Sequence, residues 1–190
     1  GGTLLERLSQ LTGARDWRPE PCATEDFLAD LDVLARAALP GGVTLTIRNA
    51  LPGERLMLDP GLLQDALLNL ILNARDACGP EGRIGVTLSA LQGTWAEFAV
   101  TDTGPGFSDA ALHRGFEPFY TTKGAEGSGL GLAMVYDMAK LAGGRVVLEG
   151  GDRSLVGALI ERLESGDVAV EDVPGGLAVR RRNGIIRATE

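Results

Sequence analysis

Asn69 and Asn73 stand four residues apart, with Asp65 and Asp76, in a segment bounded by Asp59-Pro60 and Gly79-Pro80. At about 100° per residue a helix carries these four on one stripe and Leu63, Leu67, Leu70, Ile71 and Ala74 on the opposite one. Asn inside a helix costs propensity relative to Ala or Leu, so a pair of them calls for a reason. One reason is chemical: an amide oxygen is a hard donor suited to Mg2+, which prefers oxygen ligands and keeps several waters. The other is a plain solvated face, and the helix alone leaves both open.

A second group is Thr101-Asp102-Thr103-Gly104-Pro105-Gly106-Phe107, where an apolar run through Phe98 and Val100 ends. A carboxylate at a strand end, followed by glycines that let backbone approach a ligand, can accept hydrogen bonds from an exocyclic amine such as that of adenine. Asp-Thr-Gly also opens the active-site loop of aspartic proteases, but that chemistry needs a second Asp from a partner lobe and an all-β composition, which the chain lacks. An ordinary Asp-Gly turn is the remaining alternative. The third group, Gly127-Ser-Gly-Leu-Gly131-Leu, leads into a helix. Glycines before a helix start expose N–H groups and the positive end of the helix dipole, and both favour a phosphate. The upstream Thr121-Thr-Lys-Gly-Ala-Glu126 is no strand, so a dinucleotide fingerprint does not fit. Neither lysine, Lys123 or Lys140, is followed by Ser or Thr, so a Walker A loop does not fit either.

Positioning these groups takes a recognisable series of elements. Leu4, Leu5, Leu8 and Leu11 suggest the end of a helix running into Trp17-Arg-Pro-Glu-Pro21. Thr24 is expected to cap a helix with Phe27, Leu31, Leu34, Ala35 and Ala38 on its apolar side, stopped by Pro40-Gly41-Gly42. Val43 to Asn49 alternates as a half-buried strand, Arg55 to Leu58 forms a short second one, and Asp59-Pro60 starts the asparagine helix that Gly79-Pro80 stops. Ile84 to Leu88 and Ala96 to Val100 form an antiparallel hairpin around Gln92-Gly93. Residues 102–131 show no sustained period, and so long an irregular stretch in a compact domain is usually functional. A helix follows from Gly131 to Leu141, stopped by Gly143-Gly144, then a strand from Arg145 to Glu149. Gly157 to Leu163 fits a strand or an amphipathic helix equally.

The chain has 190 residues, enough for one core, and a net charge of -8, the wrong sign for a surface that must neutralise nucleic-acid phosphates. No nucleic acid is expected as a partner. No apolar run approaches the length of a membrane-spanning helix. Cys22 and Cys78 lack neighbours at disulfide or metal spacing, which fits a reducing cytoplasm. Arg180-Arg181-Arg182 with Arg187 is expected to be a solvated terminal cluster.

Taken in order, four motifs resemble those of the ATP-binding domain of sensor histidine kinases, nitrogen-regulator type, within the superfamily that also holds DNA gyrase, a heat-shock chaperone and the MutL ATPase. Leu68-Asn-Leu-Ile-Leu-Asn-Ala-Arg-Asp-Ala77 is similar to the N box and Asp102-Thr-Gly-Pro-Gly106 to the G1 box. Phe116-Glu-Pro-Phe-Tyr-Thr-Thr-Lys123 is similar to the F box and Gly127-Ser-Gly-Leu-Gly-Leu132 to the G2 box. The resemblance implies an α+β fold, a two-layer α/β sandwich of Bergerat type with a mixed sheet and helices on one face, spanning residues 20–163. Residues 1–19 would end a dimerisation helix and linker, and 164–190 would be a C-terminal extension.

By motif position, the resemblance places Asn73 on Mg2+, Asn69 beside the phosphates of ATP, and Lys123 on the γ-phosphate. Asp102 would bind the adenine amine, with Gly104 and Gly106 allowing close approach. Thr122, Gly127, Ser128, Gly129, Leu130 and Gly131 would line the phosphates, under a lid of about residues 107–126. Arg75 and Asp76 receive no role. The implied partners are a histidine-bearing helical phosphotransfer domain and a response regulator, with a homodimer in the full-length parent. Hydrolysing branches of the superfamily carry a glutamate at the position of Asn69, and an amide cannot take a proton at neutral pH, so hydrolysis should be slow. His113, the only histidine, is expected on the lid surface rather than as phosphoacceptor. The alternatives are an ATP-gated binding module without phosphoryl transfer and a gyrase- or MutL-like ATPase.

Overall fold

Alternation in two central segments builds the middle of a sheet in the computed structural model, which describes residues 16–91, 95–122, 124, 128–149, 154–161, 168–173 and 176–181. Among the described residues the chain runs β1 (Glu20–Ala23), α1 (Thr24–Ala38), β2 (Thr44–Asn49), β3 (Arg55–Leu58), α2 (Pro60–Cys78), β4 (Arg83–Leu91), β5 (Trp95–Asp102), α3 (Asp109–Arg114), α4 (Gly131–Leu141), β6 (Arg145–Glu149), β7 (Ser154–Glu161), β8 (Val168–Val173) and β9 (Gly176–Arg181). Five strands form one sheet in the order β2-β4-β5-β7-β6, parallel between β2 and β4 and antiparallel elsewhere. β1 and β3 make a separate antiparallel pair, as do β8 and β9.

Period-2 alternation decides which side of the sheet meets the helices. Val86 lies opposite Val100 and Leu88 opposite Phe98. These four, with Ile84 and Ala96, join the residues of α1, α2 and α4 in one core. Phe27 of α1 meets Phe98 edge-on, with ring centroids 5.6 Å apart. The expected helical stripe of Leu63, Leu67, Leu70, Ile71 and Ala74 is buried as drawn. The expected mixed-sheet sandwich is therefore observed.

The bounds of α2 come from local chemistry. Asp59 Oδ1 accepts the Leu62 N–H at 3.0 Å and Pro60 occupies the first turn, so one orphan donor is satisfied and another is absent. Gly79 ends the helix at φ 73°, a conformation that favours glycine. Asp59→Ala should cost about 1 kcal/mol, the usual loss for removing such a cap, read as a lowered urea midpoint with an unchanged slope.

Four sequence expectations need correction. Thr24 is not a cap: Ala23 holds that position without a side-chain bond, and the buried Thr24 hydroxyl donates to the Leu51 carbonyl at 2.8 Å. Asn49 Nδ2 donates to the same hydroxyl at 3.0 Å, so Thr24 joins α1 to the turn after β2. β1 includes Pro21, in a stretch for which no strand is expected; as one strand of a two-stranded pair it can spare the N–H that proline lacks. The strand expected from Val43 begins at Thr44. The irregular stretch 102–131 contains α3, capped by Ser108, which accepts the Ala111 N–H at 3.2 Å. The open choice for 157–163 resolves to strand as far as Glu161, because β7 is inserted between β5 and β6 and backbone groups on both edges need ladder partners. Gln92-Gly93 and residues 162–163 lie outside the described residues, as does the helix expected through Leu4 to Leu11.

Candidate functional site

Asp102 is the last member of the inward series Ala96, Phe98, Val100, so the alternation that builds the core carries a carboxylate to its rim. It is only 8% exposed, one of two buried polar residues, with Thr24, among those described. Its Oδ1 accepts the Gly104 N–H at 2.7 Å. Gly104 is pressed against the end of α2, where a Cβ would stand 2.8 Å from the Ala77 carbonyl oxygen and 2.7 Å from Asp102 Oδ1. No side chain fits there without moving backbone. Gly106 follows at φ 82°. Burial pushes the Cys78 thiol up, and the Asp102 charge adds to the shift, which places this carboxylate near the C-terminal turn of α2.

At the middle of α2, Asn69 and Asn73 are half-buried because α4 packs beside them. A Cβ on Gly131, the first residue of α4, would lie 3.6 Å from Asn73 Nδ2 and 3.7 Å from Asn69 Oδ1. The two amides thus meet a helix N-terminus, where backbone N–H groups and the dipole favour an anion. The other members of the stripe differ. Asp65 is exposed, and Asp76 is bound by the Arg75 guanidinium at 2.7 Å while Arg75 also reaches the Ala38 carbonyl at the end of α1.

The glycine loop before α4 is tied to the F-box stretch. Phe119 N–H donates to the Gly129 carbonyl at 2.9 Å. Gly129 has φ 64°, and a Cβ on it would stand 2.4 Å from the Phe119 carbonyl carbon. Ser128 Oγ accepts the Leu130 N–H at 3.4 Å, with Ser128 exposed and Leu130 buried. Thr122 is exposed, and Lys123 and Gly127 lie outside the described residues. His113 is exposed on α3, its Nδ1 2.7 Å from the Asp109 carbonyl. The structure therefore brings Asn69, Asn73 and Gly131 together, and joins Asp102 to Gly104 at the C-terminal turn of α2. Sequence reading missed Phe119, a non-glycine residue at φ 67°. No spacing or propensity signals such a conformation.

Among the described residues no three His, Cys, Asp or Glu side chains gather to hold a metal ion. The amide oxygens of Asn69 and Asn73 lie near the start of α4, and such hard donors fit a Mg2+ taking its remaining ligands from phosphates and water. Among the same residues no helix is long and apolar enough to cross a membrane.

With the sheet, the buried carboxylate and the amide-lined helix start in place, the chain belongs to the histidine kinase-, DNA gyrase B- and HSP90-like ATPase family, whose profile matches residues 58–176. Sensor histidine kinases are among its relatives. It is 43% identical over 101 residues to the sensor histidine kinase ZraS of Escherichia coli (strain K12), covering 53% of this chain and 21% of that protein. The chain thus spans about a fifth of that relative's length. Among solved structures, the catalytic domain of histidine kinase ThkA overlays it with a TM-score of 0.69 at 22% identity, covering 76% of this chain and 96% of that domain. Full-length ShkA in complex with AMPPNP overlays with a TM-score of 0.68 at 29% identity, covering 84% of this chain and 35% of that one.

Proposed function

We propose that residues 20–163 bind MgATP and deliver its γ-phosphoryl group to a histidine on a separate helical domain. The observation that carries this reading is the meeting of Asn69 and Asn73 with the first residue of α4. Asp102 accepts a hydrogen bond from the adenine amine, and Gly106 lets the backbone pass close to the base. Asn73 supplies an amide oxygen to Mg2+, and Asn69 lies beside the phosphates. By motif position, Gly127, Ser128, Gly129, Leu130 and Gly131 would serve the phosphate oxygens, and Thr122 and Lys123 the γ-phosphate, under a lid of about residues 107–126. ShkA, a structural relative, was solved with AMPPNP, which supports an adenine nucleotide as the ligand.

The chemistry needs little covalent help from the domain. Phosphoryl transfer depends mainly on positioning and on neutralising charge over the phosphate oxygens. An imidazole nitrogen attacks the γ-phosphorus, the bond to the β,γ-bridging oxygen breaks, and ADP leaves with the electron pair. Asn69 cannot take a proton from water at neutral pH, so bound ATP waits for the external nucleophile. A response regulator then receives the phosphoryl group from that histidine. Residues 1–19 join the domain to a dimerising helical region of the parent, and residues 164–190 extend it at the C-terminus.

Mixing the chain with a histidine-bearing helical domain and γ-labelled ATP should label the histidine, while the chain alone turns ATP over slowly. Saturating nucleotide binding with no labelled histidine would instead identify an ATP-gated binding module. Rapid turnover by the chain alone would identify a gyrase- or MutL-like ATPase.

A further inference from the structure

One aromatic group beside the glycine loop takes no part in the nucleotide contacts proposed above. Phe116 lies against Tyr136 of α4, ring centroids 5.3 Å apart and planes at 32°. Lys140, one turn further along α4, holds its ammonium 5.6 Å from the Tyr136 ring centroid. Just before Phe116 the chain is wedged in place, since a Cβ on Gly115 would stand 2.5 Å from the Ala111 carbonyl and 2.8 Å from Leu148 Cδ1. Three residues after Phe116 comes Phe119, whose N–H holds the Gly129 carbonyl. Around them Arg114 pairs with Glu117 at 2.9 Å and lies 4.8 Å from the Tyr120 ring centroid, so residues 114–120 cohere as a short unit.

These contacts close a circuit. The glycine loop is joined to α4 covalently through Gly131, and it is joined to α4 a second time through Gly129, Phe119, Phe116 and Tyr136. The second route includes a non-glycine residue at φ 67°, a strained conformation that persists only where its surroundings hold it. We propose that Tyr136 is a positioning residue for phosphate binding: its ring seats Phe116, which keeps Phe119 in register with Gly129 and so sets the direction of the loop N–H groups. This rests on the nucleotide-binding reading and adds to it a residue outside the four motifs.

The test compares affinities of the full chain for Mg-AMPPNP and for adenosine, which lacks phosphates. Tyr136→Ala should weaken Mg-AMPPNP binding about tenfold, a loss of the size an aromatic pair supports, and leave adenosine affinity within about twofold. Tyr136→Phe keeps the ring and should bind both as the unaltered chain does. Equal losses for the two ligands, an unchanged affinity for Mg-AMPPNP, or a Phe variant that behaves like the Ala variant would each overturn the proposal. Should Tyr136→Ala lose its cooperative melting transition, Phe116→Leu tests the same contact and must show the same selective loss. Failure of the unaltered chain to bind Mg-AMPPNP is a separate outcome, which removes the nucleotide reading and this inference together.

Discussion

Asp102→Asn should lower the affinity for adenine nucleotides by about ten- to a hundredfold without unfolding the domain, the range expected when a hydrogen bond to a buried charged group is lost. The substitution is isosteric, so the core under β5 is undisturbed. Its effect lies in the count of acceptors. The carboxylate accepts from Gly104 N–H on Oδ1 and, in the proposed function, also from the adenine amine, whereas an amide that still accepts from Gly104 would turn its own NH2 toward that amine. Donor then faces donor in a site that is 8% exposed, where water offers little relief. Calorimetric titration reads the loss, and unchanged affinity would remove Asp102 from the pocket. A second readout is built in. The Asp102 charge helps to push the Cys78 thiol up, so the variant should lower that pKa and speed alkylation of Cys78, with Cys22 as the internal reference.

Asn73→Ala should cut phosphoryl transfer by on the order of a hundredfold, comparable to losing one electrostatic partner of a transition state. Asn73 is placed beside the first residue of α4, and in the proposed function its amide oxygen serves a cation held by the phosphates. Alanine is a better helix former than asparagine, so α2 should persist and thermal melting should show little change. The distinguishing feature is the metal dependence. Nucleotide affinity with Mg2+ should fall much more than affinity in chelator, and equal losses under the two conditions would rule out a metal role for this side chain.

The elements were largely legible in the sequence, and the exceptions have a common cause. α2 was bounded correctly because its signals are local: a capping carboxylate, a proline in the first turn and a glycine at the end. The β4–β5 pair was legible as an antiparallel hairpin because alternation needs no partner to be seen, although the strands run on to Arg83–Leu91 and Trp95–Asp102. Thr24 was misplaced because its hydroxyl bonds to Leu51 and Asn49, 27 and 25 residues away, and those partners outcompete a cap. β1 was missed because a four-residue span with a proline carries no period, and its strand character comes from pairing with β3.

For the candidate site the division is similar. The residue types were legible, since an aspartate ending an inward series, two amides on one helical stripe and glycines before a helix are patterns within a few residues of chain. Their meeting was not. Gly131 is brought to Asn69 and Asn73 by the packing of α4 on α2, and Gly104 is brought to Ala77 by the seat of β5 beneath the same helix. Phe119, in its left-handed conformation, donates its N–H to Gly129, ten residues further along the chain. Short-range sterics and periodicity belong to the chain as written, so composition and order were enough to specify the helices, the strands and most of their ends. Contacts across some sixty residues depend on how the buried faces of those elements interlock, and that choice is made by the free energy of the whole core, which no local segment contains.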